Sequence, residues 1–121
     1  MTARVQQFAL KHGLNHLSMP VGYHQFGYRP AEVLSVAFDH NRDELSLWAL
    51  CSSEPLRQQH RRFLVLDTDE LTSDAIATGP SFKGACFIGT AVSRLMTFMS
   101  MSGGGTHADV RHVFELFGEE T

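Results

Sequence analysis

The sequence predicts a mainly β fold with a minor helical share: a compact antiparallel sheet or small barrel carrying one or two short helices. Two observations carry this. The stretch VLSVAFDHNRDELSLWALC (33–51) places two strand-length runs of β-branched, aromatic and leucine residues around a polar connection. Four further short apolar runs, in RVQQFALK, RRFLVL, ACFIGTAV and DVRHVFELF, alternate with segments rich in turn formers.

Taken in order, Arg4 to Lys11 reads as a first strand anchored by Val5 and Phe8, and Gly13 ends it. The following HLSMPVGYHQFGYRPA is punctuated by Pro and Gly and reads as irregular. Within the hairpin, Asp39, Asn41 and Asp43 form the turn, because short polar side chains bond nearby backbone and tolerate left-handed conformations. Leu45, Leu47 and Ala49 share one face of the second strand and Ser46, Trp48 and Leu50 the other, so both faces are expected to be covered. A lone hairpin is marginal in water, which requires further strands.

Ser52 to His60 reads as a polar loop and Arg61 to Leu66 as a strand. Asp67 with Glu70 has the spacing of a capping box, predicting a short helix near Asp69 to Ala77. Ala85 to Val92 reads as a strand buried on both faces. For Ser93 to Met101, Val92, Leu95, Met96 and Met99 fit helical spacing while Thr97, Met99 and Met101 fit a strand; Gly103 as a stop favours the short helix. GGGTHA reads as flexible, and Asp109 to Phe117 as the last strand. A chain of 121 residues without repeat or internal boundary is expected to form one domain, 1–121.

The net charge of −3 argues against a duplex nucleic-acid binder with a broad basic face. No apolar run approaches the roughly 20 residues of a membrane helix, and MTARVQQFALKHG lacks the apolar core of a signal peptide, so no membrane association and a cytosolic location are expected. Cys51 and Cys86, both within apolar runs, read as buried free thiols.

The ordered set LSMPVG, AEVLSV, LSLWAL, RRFLVLDT, FIGTA and RHVFE resembles a family of small phage and prophage proteins built on a domain of unknown function. Their strands show the pattern ILSV, LWAL, RxFxVxxT, IGT and HVFE. The resemblance covers the strands and about half the chain. It implies an antiparallel β scaffold in a bacterial virus, acting in the host cytosol in an accessory role against host defence, and it assigns no catalytic residue. The chain departs from the pattern by being longer between Gly22 and Ala31, between Thr68 and Phe82, and between Val92 and Asp109. Additions to a rigid scaffold are where binding function tends to sit.

Two of these longer segments carry the candidate site. Tyr23, Phe26, Tyr28 and Arg29 place three aromatics and a guanidinium within seven residues, a composition able to stack on a base and pair with phosphate. The same residues equally suit a subunit interface or a lid on the core. Gly104, Gly105, Thr106 and His107 offer backbone N–H groups, a hydroxyl and an imidazole to an anion, without the lysine of a Walker motif. The expected ligand is a nucleotide-like small molecule, sequestered without turnover and without a cofactor. The alternatives are direct blocking of a host protein and a small phosphodiesterase or metal-dependent hydrolase.

The Met-rich stretch Met96, Met99 and Met101 suits a partner surface as well as a core, and a homo-oligomer is expected. No metal site is assigned. His12, His16, His24, His107, His112 and Asp109 are available, but Gly13 and Pro20 oppose a helix that would align His12 with His16. Asp67, Asp69, Glu70 and Asp74 read as solvated turn and cap residues. His16-Leu17-Ser18 is the sole His-x-Ser/Thr motif, one short of the two that a two-histidine phosphoesterase uses.

Overall fold

The hairpin expected at 33–51 forms as strands β4 (Glu32–Asp39) and β5 (Glu44–Ser52), paired antiparallel with Phe38 opposite Leu45 and Asp39 opposite Glu44. Asp39 closes the turn: its carboxylate accepts the Asn41 N–H at 3.0 Å and its carbonyl the Arg42 N–H at 3.2 Å. The computed structural model describes residues 3–24, 27–42, 44–55, 57–70, 84–92, 96–97, 106–107 and 110–117.

Strand β1 (Ala3–Leu10) pairs with the other side of β5, giving a three-stranded antiparallel sheet β1–β5–β4. Leu45, Leu47, Ala49 and Cys51 form the buried face of β5. The opposite face is only half-covered. Ser46 is buried there beneath Gln7, whose amide donates to Ser46 Oγ at 2.9 Å and Asp39 Oδ2 at 2.7 Å, while Trp48 and Leu50 keep partial exposure. In β1 the anchors are Phe8 and Leu10. Val5 faces outward and is 54% exposed, because alternation puts it on the Gln7 face.

The second sheet is five-stranded and antiparallel, in the order β3 (Gly27–Arg29), β2 (Gly13–His24), β6 (Arg57–Asp67), β10 (Val110–Leu116), β7 (Ala85–Val92). Met19, Phe63, Val65, Ala91 and Val113 from this sheet share one core with Leu10, Leu45, Leu47, Ala49 and Cys51 from the first. The two layers thus make a sandwich whose inner faces bury each other. They approach closely at Gly22, where a Cβ would lie 2.4 Å from Ser52 Cβ.

One ion pair is sunk between the layers. Arg61 donates to both carboxylate oxygens of Glu115 at 2.6 and 2.7 Å and through its third nitrogen to the Ala31 carbonyl at 2.6 Å, with its guanidinium 5.6 Å from the Phe63 ring centroid. Ala31 immediately precedes β4, so this pair fastens the five-stranded sheet to the entry of the three-stranded one.

Several expectations change. The two sheets are open and no ladder among the described strands joins them, so the protein is not a closed barrel. The segment read as irregular is the twelve-residue β2 followed by β3. Pro20 is tolerated because β3 flanks only Gly22 to His24, so that among the described strands β2 has no partner on that side at Pro20 and a missing N–H costs no bond there. Strand β6 starts at Arg57, inside the expected loop. Strand β7 is an edge strand rather than one buried on both faces: Ala91 is buried, but Phe87 is 57% and Val92 55% exposed. Cys86 on this strand is exposed, whereas Cys51 is buried.

The capping pair is present, with Glu70 accepting the Asp67 N–H at 2.9 Å, but the described element is a 3-10 turn, Thr68–Glu70; residues 71–77 of the expected helix lie outside the described residues. The helix favoured for 93–101 is not formed at Met96–Thr97. These two residues are strand β8, paired with β9 (Thr106–His107), and the rest of that segment lies outside the described residues. No helix among the described residues is long and apolar enough to cross a membrane.

Candidate functional site

The five-stranded sheet has two ends, set by the pairing of β2 with β6. Gly13 lies opposite Val65 at one end, and Val21 opposite Arg57 at the other. Beyond Val21, β2 leaves β6 and folds back with β3. Tyr23 then takes the position directly opposite Tyr28, and Gly22 the position opposite Arg29, which is exposed. The sequence-predicted aromatic segment is thus a short hairpin projecting from the Val21 end; Phe26 lies outside the described residues.

The glycine-rich segment is at the other end. Val92 of β7 faces Val110 of β10 there, and the pairing resumes beyond them with Met96 opposite His107 and Thr97 opposite Thr106. Thr106 and His107 therefore sit on a ribbon that continues the β7–β10 ladder past the Gly13 end. Gly104 and Gly105 lie outside the described residues. Along β6, about ten residues separate the Val21 partner from Asp67, the Arg111 partner, which corresponds to roughly 33 Å. The chain between Val92 and Met96 spans at most about 14 Å. The described parts of the two candidate segments, Tyr23–Arg29 and Thr106–His107, thus leave opposite ends of the sheet.

The Gly13 end holds a feature that the sequence reading did not assemble. A cleft of about 230 Å³ is lined by Leu10, His12, Phe38, Glu44, Leu45, Val65 and Arg111. Its His12 sits on the tight β1–β2 turn, which Gly13 permits with φ of +92°. Asn15 holds this turn from below. Its side chain accepts the Lys11 N–H at 2.7 Å and donates to the carbonyls of Lys11 at 2.8 Å and Gly13 at 3.1 Å.

Against the His12 ring stand two carboxylates: Glu70, hydrogen-bonded to Nε2, and Asp67, with Oδ2 3.9 Å away. Asp67 is in turn held by Arg111 at 2.6 Å through Oδ1. Glu70 is an anion at neutral pH, its pKa lowered by the His12 hydrogen bond and by the Asp67 N–H. One donor atom from each of His12, Asp67 and Glu70 lies within 4.8 Å of the others. Asp67 and Glu70 read in the sequence as cap residues and His12 as one of several scattered histidines. Only the pairing of β2 with β6 brings positions 12 and 67 together, and no local pattern reports that.

Three other histidines, His16, His60 and His112, are engaged on the outer face of the five-stranded sheet. His16 and His60 stack at 4.9 Å with Nδ1 and Nε2 2.8 Å apart, and the His112 ring lies between the hydroxyls of Thr68 and Thr90, each at 2.9 Å. On the same face Leu14, Leu64, Phe114 and Phe87 occupy one register row across four strands, with Leu14 and Phe87 largely exposed.

No family model matches the sequence, and no curated protein or solved structure is similar to it.

Proposed function

We propose that the protein is a phage-encoded, non-enzymatic binding protein that sequesters a nucleotide-type signalling molecule in the host cytosol and so blunts a host defence. The observation that carries this reading is the β2–β3 hairpin, which sets Tyr23 and Tyr28 at opposed positions beside the exposed Arg29. Aromatic and guanidinium groups together favour a planar, anionic ligand, and the capture of an anion by a protein of net charge −3 calls for such local contacts rather than a basic surface. Thr106 and His107, with Gly104 and Gly105, would meet the phosphate. Because their strands leave the opposite end of the sheet, that half of the site comes from a second copy in this reading.

The test is calorimetry against a panel of cyclic and linear nucleotides, with Arg29→Ala and Tyr28→Ala beside the parent. The expected result is saturable binding that each substitution weakens by about 1–3 kcal/mol. A silent panel, or variants that bind like the parent, would abandon sequestration at this hairpin. Direct contact with a host protein would then be the reading left standing, with the row Leu14, Leu64, Phe114 and Phe87 as the apolar surface available for it.

A further inference from the structure

We propose that His12, Asp67 and Glu70 form a binding site for a divalent transition-metal ion of the zinc class at the mouth of the cleft beside Gly13. The three side chains come from two separate segments, the β1–β2 turn and the end of β6 with its following 3-10 turn, yet they present one imidazole nitrogen and two carboxylate oxygens to a common point. The donor atoms lie within 4.8 Å of one another, with Asp67 Oδ2 3.9 Å from His12 Nε2. To bind one ion at roughly 2.0–2.2 Å, Asp67 would move slightly inward and the hydrogen-bonded His12–Glu70 pair would open to admit it.

The donor set selects the ion. One imidazole with two carboxylates suits zinc and its first-row neighbours. Calcium and magnesium take all-oxygen shells. Each ligand is also positioned by a further contact, as metal ligands usually are. Arg111 holds the Asp67 oxygen that faces away from His12, the Asp67 N–H holds Glu70, and Asn15 locks the turn that carries His12. His12 Nε2 and Glu70 are hydrogen-bonded to each other, and the ion would replace that contact. Three protein ligands leave a coordination position open, and the adjoining cleft has room for a water or a small ligand atom there.

A competing location exists on the same protein. The stacked His16 and His60 pair is exposed and could collect zinc adventitiously. The experiment therefore titrates zinc into metal-free parent protein and into His12→Ala, Glu70→Gln and His60→Ala, by calorimetry, with each fold checked by circular dichroism. The expected result is one zinc per chain in the parent, binding weakened at least tenfold in His12→Ala and in Glu70→Gln, and unchanged in His60→Ala. Glu70→Gln keeps the shape of an exposed side chain, so it reads the site even if His12→Ala disturbs the turn. No binding by the parent at micromolar zinc, loss of binding in His60→Ala alone, or parent-like binding by folded Glu70→Gln would each overturn the proposal. Nuclear magnetic resonance of the imidazoles gives a second readout: zinc should move the His12 ring signals before those of His16 and His60.

Discussion

Arg61 and Glu115 form an ion pair held in the interior, with side chains 13% and 6% exposed. Removing one partner strands the other in a low-dielectric layer, so Glu115→Ala should destabilise the protein by about 3–5 kcal/mol in chemical denaturation. A loss below about 1 kcal/mol would mean that Arg61 finds water in the variant. The two thiols should also separate cleanly. Burial pushes the Cys51 thiol up from its ordinary value, and its sulfur is enclosed, whereas Cys86 is exposed. A disulfide reagent should modify Cys86 in the native protein and Cys51 only on unfolding; equal rates would contradict the packing of β5. Asp39 makes an acid-sensitive contribution. Its pKa is lowered chiefly by the Gln7 amide, then by the Asn41 and Arg42 N–H groups and the Arg42 charge. Stability from it is complete above the ordinary aspartate pKa and is lost as pH falls through the depressed value. Melting curves of Asp39→Asn and parent should therefore differ most near neutrality and converge in strong acid.

At the scale of elements, the β1–β2 turn shows how a polar residue sets a backbone path. Asn15 is nearly buried and closes three short bonds onto Lys11 and Gly13. Asn15→Ala leaves those backbone groups unpaired and should cost about 1–3 kcal/mol by denaturant titration; a neutral outcome would show that water replaces the amide. The turn also indicates what a linear reading can and cannot reach. Strand β7 begins and ends at the expected residues because ACFIGTAV is an uninterrupted run. β2 was hidden because Pro20 and Gly22 are turn signals in sequence. They are harmless here, since one sits where no second ladder exists and the other where a neighbouring layer leaves no room for a side chain. Glu115 was passed over in sequence: alternation puts it on the Val113 face, a signal for a buried partner, but nothing local names Arg61.

At the scale of the whole molecule, the separation of the Tyr23–Arg29 hairpin from the Thr106–His107 ribbon makes the proposed nucleotide site a question of assembly. An antiparallel two-fold pair would bring the Val21 end of one copy beside the Gly13 end of the other, completing two sites at once. In such a pair, Arg29→Ala and His107→Ala proteins, each weakened alone, should show roughly a quarter of their sites at parent affinity when mixed, because half the pairs are hybrids and one site in each hybrid is intact. Calorimetric stoichiometry of the tight-binding fraction reads this directly, and a mixture that binds as weakly as its components would exclude shared sites. The mainly β class followed from strand-length runs, but the arrangement of the strands into two open layers did not. That arrangement depends on which distant strands pair, and periodicity carries no record of partners.

Strand β10 lies between β6 and β7, so the last described strand of the chain fills an interior slot of the sheet rather than an edge. Until it arrives, β6 and β7 each present an unpaired edge, Arg61 has no counter-ion, and the core lacks Val113. The larger layer therefore cannot close until Val110–Leu116 has left the ribosome. Its closure depends on pairings distant in sequence, which form more slowly than local ones. The emerging chain is at its most vulnerable to aggregation just before the segment that ends the risk is made.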